Sequence, residues 1–145
     1  MHLILASTSR YRKELLDRLK IPFSTARPHV DETALPGESP RETAIRLARL
    51  KATNLAAAHP NALIIGSDQV ATFNGTVLGK PGSHKNAVDQ LNLVSGRTVE
   101  FHTAVSLHNT QTGKTETRIE TCEVTFRSLS AETIERYLLL SLIHI

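Results

Sequence analysis

Asp68 stands one residue, Ser67, beyond the apolar run Leu63-Ile64-Ile65-Gly66. A carboxylate at the end of a buried strand stands where ligands of α/β sheets gather, and there it can orient a water or hold a divalent cation. An aspartate in a loop more often caps a turn, so position alone leaves both roles open. Gly66 would let another group approach the backbone closely. A second cluster is Ser7-Thr8-Ser9, where the apolar run Leu3-Ile4-Leu5-Ala6 gives way to helical spacing. Free backbone N–H groups, hydroxyls and the positive end of a helix dipole suit phosphate oxygens. Arg12, one turn in, adds a planar fork. A helix cap beside a solvated arginine accounts for these residues equally well. Val30-Asp31-Glu32 sets two carboxylates in a proline-bounded loop, either as oxygen ligands for Mg²⁺ or as a solvated acidic loop. Lys51 in a helix and Lys80 in Gly79-Lys80-Pro81 are phosphate contacts or surface lysines.

Several chemistries are excluded or disfavoured. The seven histidines show no metal-site spacing and have no cysteine partner, so zinc is not expected. Ser67 lacks the glycine frame of a nucleophile elbow, and the chain has neither a GxGxxG nor a Walker loop. The only cysteine, Cys122, alternates with apolar positions and reads as packing. It cannot form an internal disulfide, which points to a reducing compartment, with the cytoplasm as the expectation.

The elements that must position these groups follow from pattern. Residues 3–6 read as a buried strand, and Tyr11, Leu15, Leu16 and Leu19 as a helix. Residues 22–38 carry Pro22, Pro28, Pro36 and Gly37 and read as loop, with a short strand near Phe23 to Ala26. Ser39-Pro40-Arg41-Glu42 is a complete helix start, and that helix continues through Ala44, Leu47, Ala48 and Leu55, stopping before Pro60. Leu63-Ile64-Ile65 predicts a second buried strand, and Asn74-Gly75 a hairpin. A helix is expected over His84 to Val94, with Gly96 as its stop. Val99 to Leu107 and Cys122 to Phe126 alternate with period two and predict a long antiparallel hairpin. A closing helix is expected from Ser130 to Leu140.

These elements make an α/β domain with a mixed sheet. A chain of 145 residues, 40% hydrophobic and 21% charged, is long enough for one well-cored globular domain. The formal charge of +3 suits an anionic ligand, but the basic residues are scattered and only 4% are aromatic. Nucleic acid is therefore not the expected partner. No apolar run approaches the roughly 20 residues of a membrane span, and Arg10, Arg12 and Lys13 interrupt any signal-like start.

In order along the chain, Leu5-Ala6-Ser7-Thr8-Ser9-Arg10-Tyr11-Arg12-Lys13-Glu14-Leu15-Leu16, Val30-Asp31-Glu32-Thr33, Leu47-Ala48-Arg49-Leu50-Lys51-Ala52, Ile65-Gly66-Ser67-Asp68-Gln69-Val70 and Gly79-Lys80-Pro81 resemble the Maf family of nucleotide pyrophosphatases. The resemblance implies an elongated mixed β-sheet with flanking helices and a central cleft, like that of the inosine triphosphate pyrophosphatases. It implies hydrolysis of a nucleoside triphosphate to the monophosphate and pyrophosphate with a divalent cation, Mg²⁺ or Mn²⁺. Asp68 matches the family's proton acceptor, and Arg12, Lys51 and Lys80 match its basic phosphate-binding positions. Ser7 and Glu32 match positions lining the site, with Glu32 and Asp68 the expected metal ligands. It also suggests a homodimer.

The resemblance extends to substrate choice. The dTTP/UTP branch usually has Pro-Arg-Arg after the first serines and Ser-Asp-Thr at the aspartate. This chain has Tyr11 and Gln69, as in the YceF-like branch, which resembles a 7-methyl-GTP pyrophosphatase. An aromatic face suits a cationic methylated base. Arg10 replaces the usual proline, a departure that touches how the helix starts. The family continues beyond the helix near Tyr137, and Leu138 to Ile145 does not match what it places there. The expectation is thus a pyrophosphatase domain over residues 1–140, C-terminally truncated, followed by a foreign tail at 141–145. A dTTP/UTP enzyme and an inert nucleotide-binding fragment are the rival readings.

Overall fold

The structure, a computed structural model, describes residues 1–79 and 82–143. Its elements are β1 (His2–Ala6), α1 (Arg10–Asp17), β2 (Ser24–Ala26), α2 (Pro40–Thr53), β3 (Ala62–Phe73), β4 (Thr76–Leu78), α3 (His84–Val94), β5 (Thr98–Asn109), β6 (Thr115–Thr125) and α4 (Ala131–Ile143), with a 3₁₀ turn at Ala56–Ala58. The strands pair in the order β2-β1-β3-β5-β6, and β4 pairs with β3. The expected α/β class with a mixed sheet and flanking helices is what forms. The chain divides into two compact units: residues 1–69 with 102–120, and residues 70–101 with 121–145.

In the first unit β1 runs parallel to both neighbours, with Ile4 opposite Ser24 of β2 and Ile64 of β3. Such strands are covered on both faces and read as continuous apolar runs. Ile4, Ala6, Ala62 and Ile64 form the core, with Ala26 and Leu55 packed against it. Each fully buried isoleucine contributes about 1.5–3 kcal/mol. The helix start at Ser39 forms as expected, its Oγ accepting from the Glu42 N–H at 3.1 Å with Pro40 in the first turn. α2 buries Ala44, Leu47, Ala48 and Ala52. It ends at Thr53, so Leu55 packs from the following turn rather than from the helix.

The second unit holds the predicted hairpin. Ala71 pairs with Leu78 across β3 and β4, and the turn residues Asn74 and Gly75 take φ of 50° and 78°, the left-handed pair that a two-residue hairpin requires. α3 is capped by Ser83, which accepts from the Asn86 N–H at 3.2 Å, and it buries Ala87 and Val94. Val99 and Ile134 of α4 are each 1% exposed. Ser130 caps α4 through the Thr133 N–H.

Three expectations change. α1 ends at Asp17 and buries none of its residues, so Leu19 lies beyond it and Tyr11 is 69% exposed. Cys122 and Val124 are exposed rather than packed: they lie on β6, the last strand in the pairing order, none of whose residues is buried. The closing helix α4 runs to Ile143, past its expected end at Leu140, and residues 144 and 145 of the tail expected at 141–145 lie outside the described residues. Among the described residues no helix is long and apolar enough to cross a membrane.

Candidate active site

Asp68 is not at a strand end. It lies in the middle of the twelve-residue β3, which runs on through Gly66-Ser67-Asp68-Gln69 to Phe73. The turn-capping role is thereby removed, since there is no turn to cap. The strand continues because its polar residues are satisfied. Ser67 Oγ donates to the Ala104 carbonyl of β5 at 2.9 Å, which also removes it as a nucleophile. Gln69 Nε2 donates to Thr103 Oγ1 at 2.9 Å.

Asp68 is only 7% exposed, and a buried carboxylate needs a partner. Lys51 supplies it, with Nζ 3.1 Å from Asp68 Oδ1. Lys51 projects from α2, and α2 lies this near β3 because residue 66 is glycine. A β-carbon at Gly66 would collide with the Ala48 carbonyl and the Ala52 backbone nitrogen. The close approach expected at Gly66 is therefore that of a helix backbone.

Glu32, on the loop between β2 and α2, closes the group. Its Oε1 lies 2.6 Å from Lys51 Nζ, so one ammonium bridges two carboxylates. The pKa of Asp68 is raised above its ordinary value, first by burial. The hydrogen bond and charge of Lys51 oppose this, Glu32 adds to it, and Arg12 opposes it. A carboxylate displaced toward neutral pH is a better proton acceptor than a free one.

The first hydroxyl cluster forms the expected cap. Ser9 Oγ accepts from the Arg12 N–H at 3.3 Å, and Ser7 Oγ accepts from the Ser9 N–H at 3.0 Å. Ser7 is 8% exposed, and Arg12 is half-buried. Lys80 lies outside the described residues. The structure thus joins Glu32, Lys51 and Asp68 directly and sets the Arg12 charge near enough to act on Asp68.

Two features were not foreseen. One is Thr103 as the partner of Gln69. The other is an ion pair between Glu38 and Arg46, with Arg46 Nε 2.7 Å from Glu38 Oε2. Bonds from Arg46 and Thr43 pull the Glu38 carboxyl down to about 2. Neither has a local sequence signal, because the partners meet only once the loop and β5 are in place.

Among the described residues no three His, Cys, Asp or Glu side chains cluster as a metal cage. Glu32 and Asp68 nevertheless converge on one cation. That suits a metal such as Mg²⁺, which takes one or two carboxylates and fills its remaining positions with water and substrate phosphates.

A buried aspartate held against a lysine, with a second carboxylate and a capped helix start in the same unit, brings together a group that can accept a proton and groups that can meet phosphate oxygens. Residues 2–141 match the family of Maf-like proteins. A 7-methyl-GTP pyrophosphatase of Ralstonia nicotianae is 54% identical over 136 residues, which cover 94% of this chain and 70% of that protein. Proteins of the same name from Chromobacterium violaceum and Nitrosospira multiformis are 51% and 53% identical, covering 95% and 94% of this chain and 72% and 69% of their own lengths. By the extent of that match and the level of identity, the chain belongs to the Maf family.

Proposed function

We propose that the chain hydrolyses 7-methyl-GTP to 7-methyl-GMP and pyrophosphate. The observation that carries the chemistry is the buried Asp68, raised in pKa by its burial and fixed by Lys51. The substrate rests on the relatives, which are named 7-methyl-GTP pyrophosphatases at 51–54% identity.

In this reading Asp68 orients a water and accepts its proton as the water oxygen attacks the α-phosphorus. The bond from that phosphorus to the bridging oxygen breaks, and pyrophosphate leaves. Arg12 and Lys51 neutralise charge on the triphosphate and the leaving group, Lys80 is assigned the same role by its match to the family's phosphate-binding position, and Ser7 contributes a hydroxyl. Glu32 and Asp68 would hold a Mg²⁺ or Mn²⁺, which supplies further neutralisation of phosphate charge. Tyr11, a residue 69% exposed, is placed to stack on the cationic base. Gln69 offers its amide to the base edge, held in place by Thr103.

The test is pyrophosphate release from 7-methyl-GTP, GTP, UTP and dTTP in the presence of Mg²⁺ or Mn²⁺. The proposal expects 7-methyl-GTP to give the highest kcat/KM. Release from UTP or dTTP but not from 7-methyl-GTP would overturn the substrate, and binding without release from any of the four would overturn the activity.

A further inference from the structure

Glu32 meets Lys51 from a loop that apolar burial does not hold. Residues 31–37 are all exposed, Leu35 among them at 53%, and a cavity of about 410 Å³ lined by Asp31, Thr33, Leu35 and Arg46 opens beside them. A loop so thinly packed would ordinarily sit at the low-stability end of a fold. Yet the Glu32 carboxylate is placed 2.6 Å from Lys51 Nζ.

Polar bonds supply what packing does not. Arg46 Nε donates to Glu38 Oε2 at 2.7 Å, and Arg46 Nη2 is shared between Glu38 Oε1 at 3.1 Å and the Thr33 carbonyl at 3.0 Å. Thr43 Oγ1 and the Leu35 N–H also donate to Glu38 Oε1, at 2.7 and 3.1 Å. Four donors therefore converge on one carboxylate whose side chain is 9% exposed. That distinguishes it from an ordinary surface ion pair, which is worth little. The same guanidinium grips the backbone one residue beyond Glu32. On the other side Asp31 Oδ1 accepts from the Thr33 N–H at 2.9 Å, closing a turn with Glu32 at its centre. Arg46 and Lys51 both belong to α2, so one helix holds the loop and also carries the lysine that the loop must meet.

We propose that Arg46 and Glu38 are positioning residues for the reaction, fixing the turn at residues 31–35 so that the Glu32 carboxylate meets Lys51. The proposal rests on the functional reading above. A lysine at position 46 would keep the charge but could not bond two carboxylate oxygens and a carbonyl from one planar group.

The experiment compares Arg46→Gln, Arg46→Lys, Glu38→Gln, Glu32→Gln and the double variant Arg46→Gln/Glu32→Gln in the full chain. Hydrogen exchange is followed at the Thr33 and Leu35 amides and across residues 62–68, and kcat and KM are measured with 7-methyl-GTP. Arg46→Gln and Arg46→Lys should both speed exchange at Thr33 and Leu35 by about tenfold or more while leaving 62–68 unchanged. Both should lower kcat/KM on the order of tenfold, the size expected of a group that orients a ligand-bearing side chain. The double variant should be no worse than Glu32→Gln alone, because residues acting through one another do not add. Unchanged exchange at Thr33 and Leu35 overturns the proposal, as do losses that add in the double variant. If Arg46→Gln raises exchange in 62–68 as well, it has disturbed the fold, and Glu38→Gln decides by the same criteria. If the wild-type chain releases no pyrophosphate, the functional reading fails, and the exchange result alone decides the positioning role.

Discussion

Lys51 Nζ lies 3.1 Å from Asp68 Oδ1, and the two side chains are only 10% and 11% exposed. Lys51 is thereby the cation that replaces water at Asp68, while Asp68 shares the Lys51 ammonium with Glu32 at 2.6 Å. Removing one partner of such a pair is far more damaging than exchanging both, because the survivor is left buried and uncompensated.

Lys51→Met should therefore destabilise the chain by about 3 kcal/mol, the lower end of the range for broken buried pairs, since Asp68 can take up a proton instead. Lys51→Met/Asp68→Asn should recover part of that loss. Urea denaturation of the wild type and the variants measures both; a double variant less stable than Lys51→Met would contradict the pairing.

The pH dependence has a definite sign. Burial raises the Asp68 pKa above its ordinary 3.8, and a proton acceptor must be ionised to work. The acid limb of kcat/KM should accordingly lie above pH 3.8, with activity lost as pH falls through the raised value. For stability the direction reverses. The folded state holds the proton more tightly than the unfolded chain, so the ionisation of Asp68 costs stability as pH rises from 3.8 through the folded value. A kcat/KM profile flat down to pH 3.8 would remove Asp68 as the titrating base.

Gly66 makes the close contact of α2 with β3 possible. Gly66→Ala places a methyl group against backbone atoms of Ala48 and Ala52, which cannot rotate away. The cost should reach or exceed the roughly 3 kcal/mol at the upper end of ordinary overpacking, and Lys51 should be displaced from Asp68. Gly79→Ala, with nothing among the described residues within 4 Å of its β-carbon, should be tolerated. Thermal melts of the two variants provide the comparison, and equal melting temperatures would contradict this role for Gly66.

Much of the fold was legible because its signals are local. Ser39-Pro40 starts α2, Asn74-Gly75 turns the β3–β4 hairpin, and His84–Val94 forms the predicted helix to the residue. The strand boundary at Asp68 was not legible, because polar residues normally mark the end of an apolar run. Here Lys51 and Ala104 satisfy Asp68 and Ser67 from elsewhere in the chain, so the strand continues. Cys122 misled for the opposite reason, since alternation along β6 says which residues share a face but not whether anything covers it. For the site, spacing and resemblance named Glu32, Lys51 and Asp68 individually. Their meeting at one nitrogen, and the Arg46–Glu38 clamp that holds Glu32 there, depend on contacts between residues far apart in sequence.

In the proposed reaction Asp68 accepts the proton of the attacking water. The most direct measurement is kcat for pyrophosphate release from 7-methyl-GTP by Asp68→Asn beside the wild type, with folding of both confirmed by circular dichroism. Asparagine keeps the shape and can still meet Lys51, but it cannot accept the proton. If Asp68 is the base, kcat should fall about 10²–10⁴-fold in a folded variant. An Asp68→Asn chain that releases pyrophosphate at the wild-type rate would contradict it.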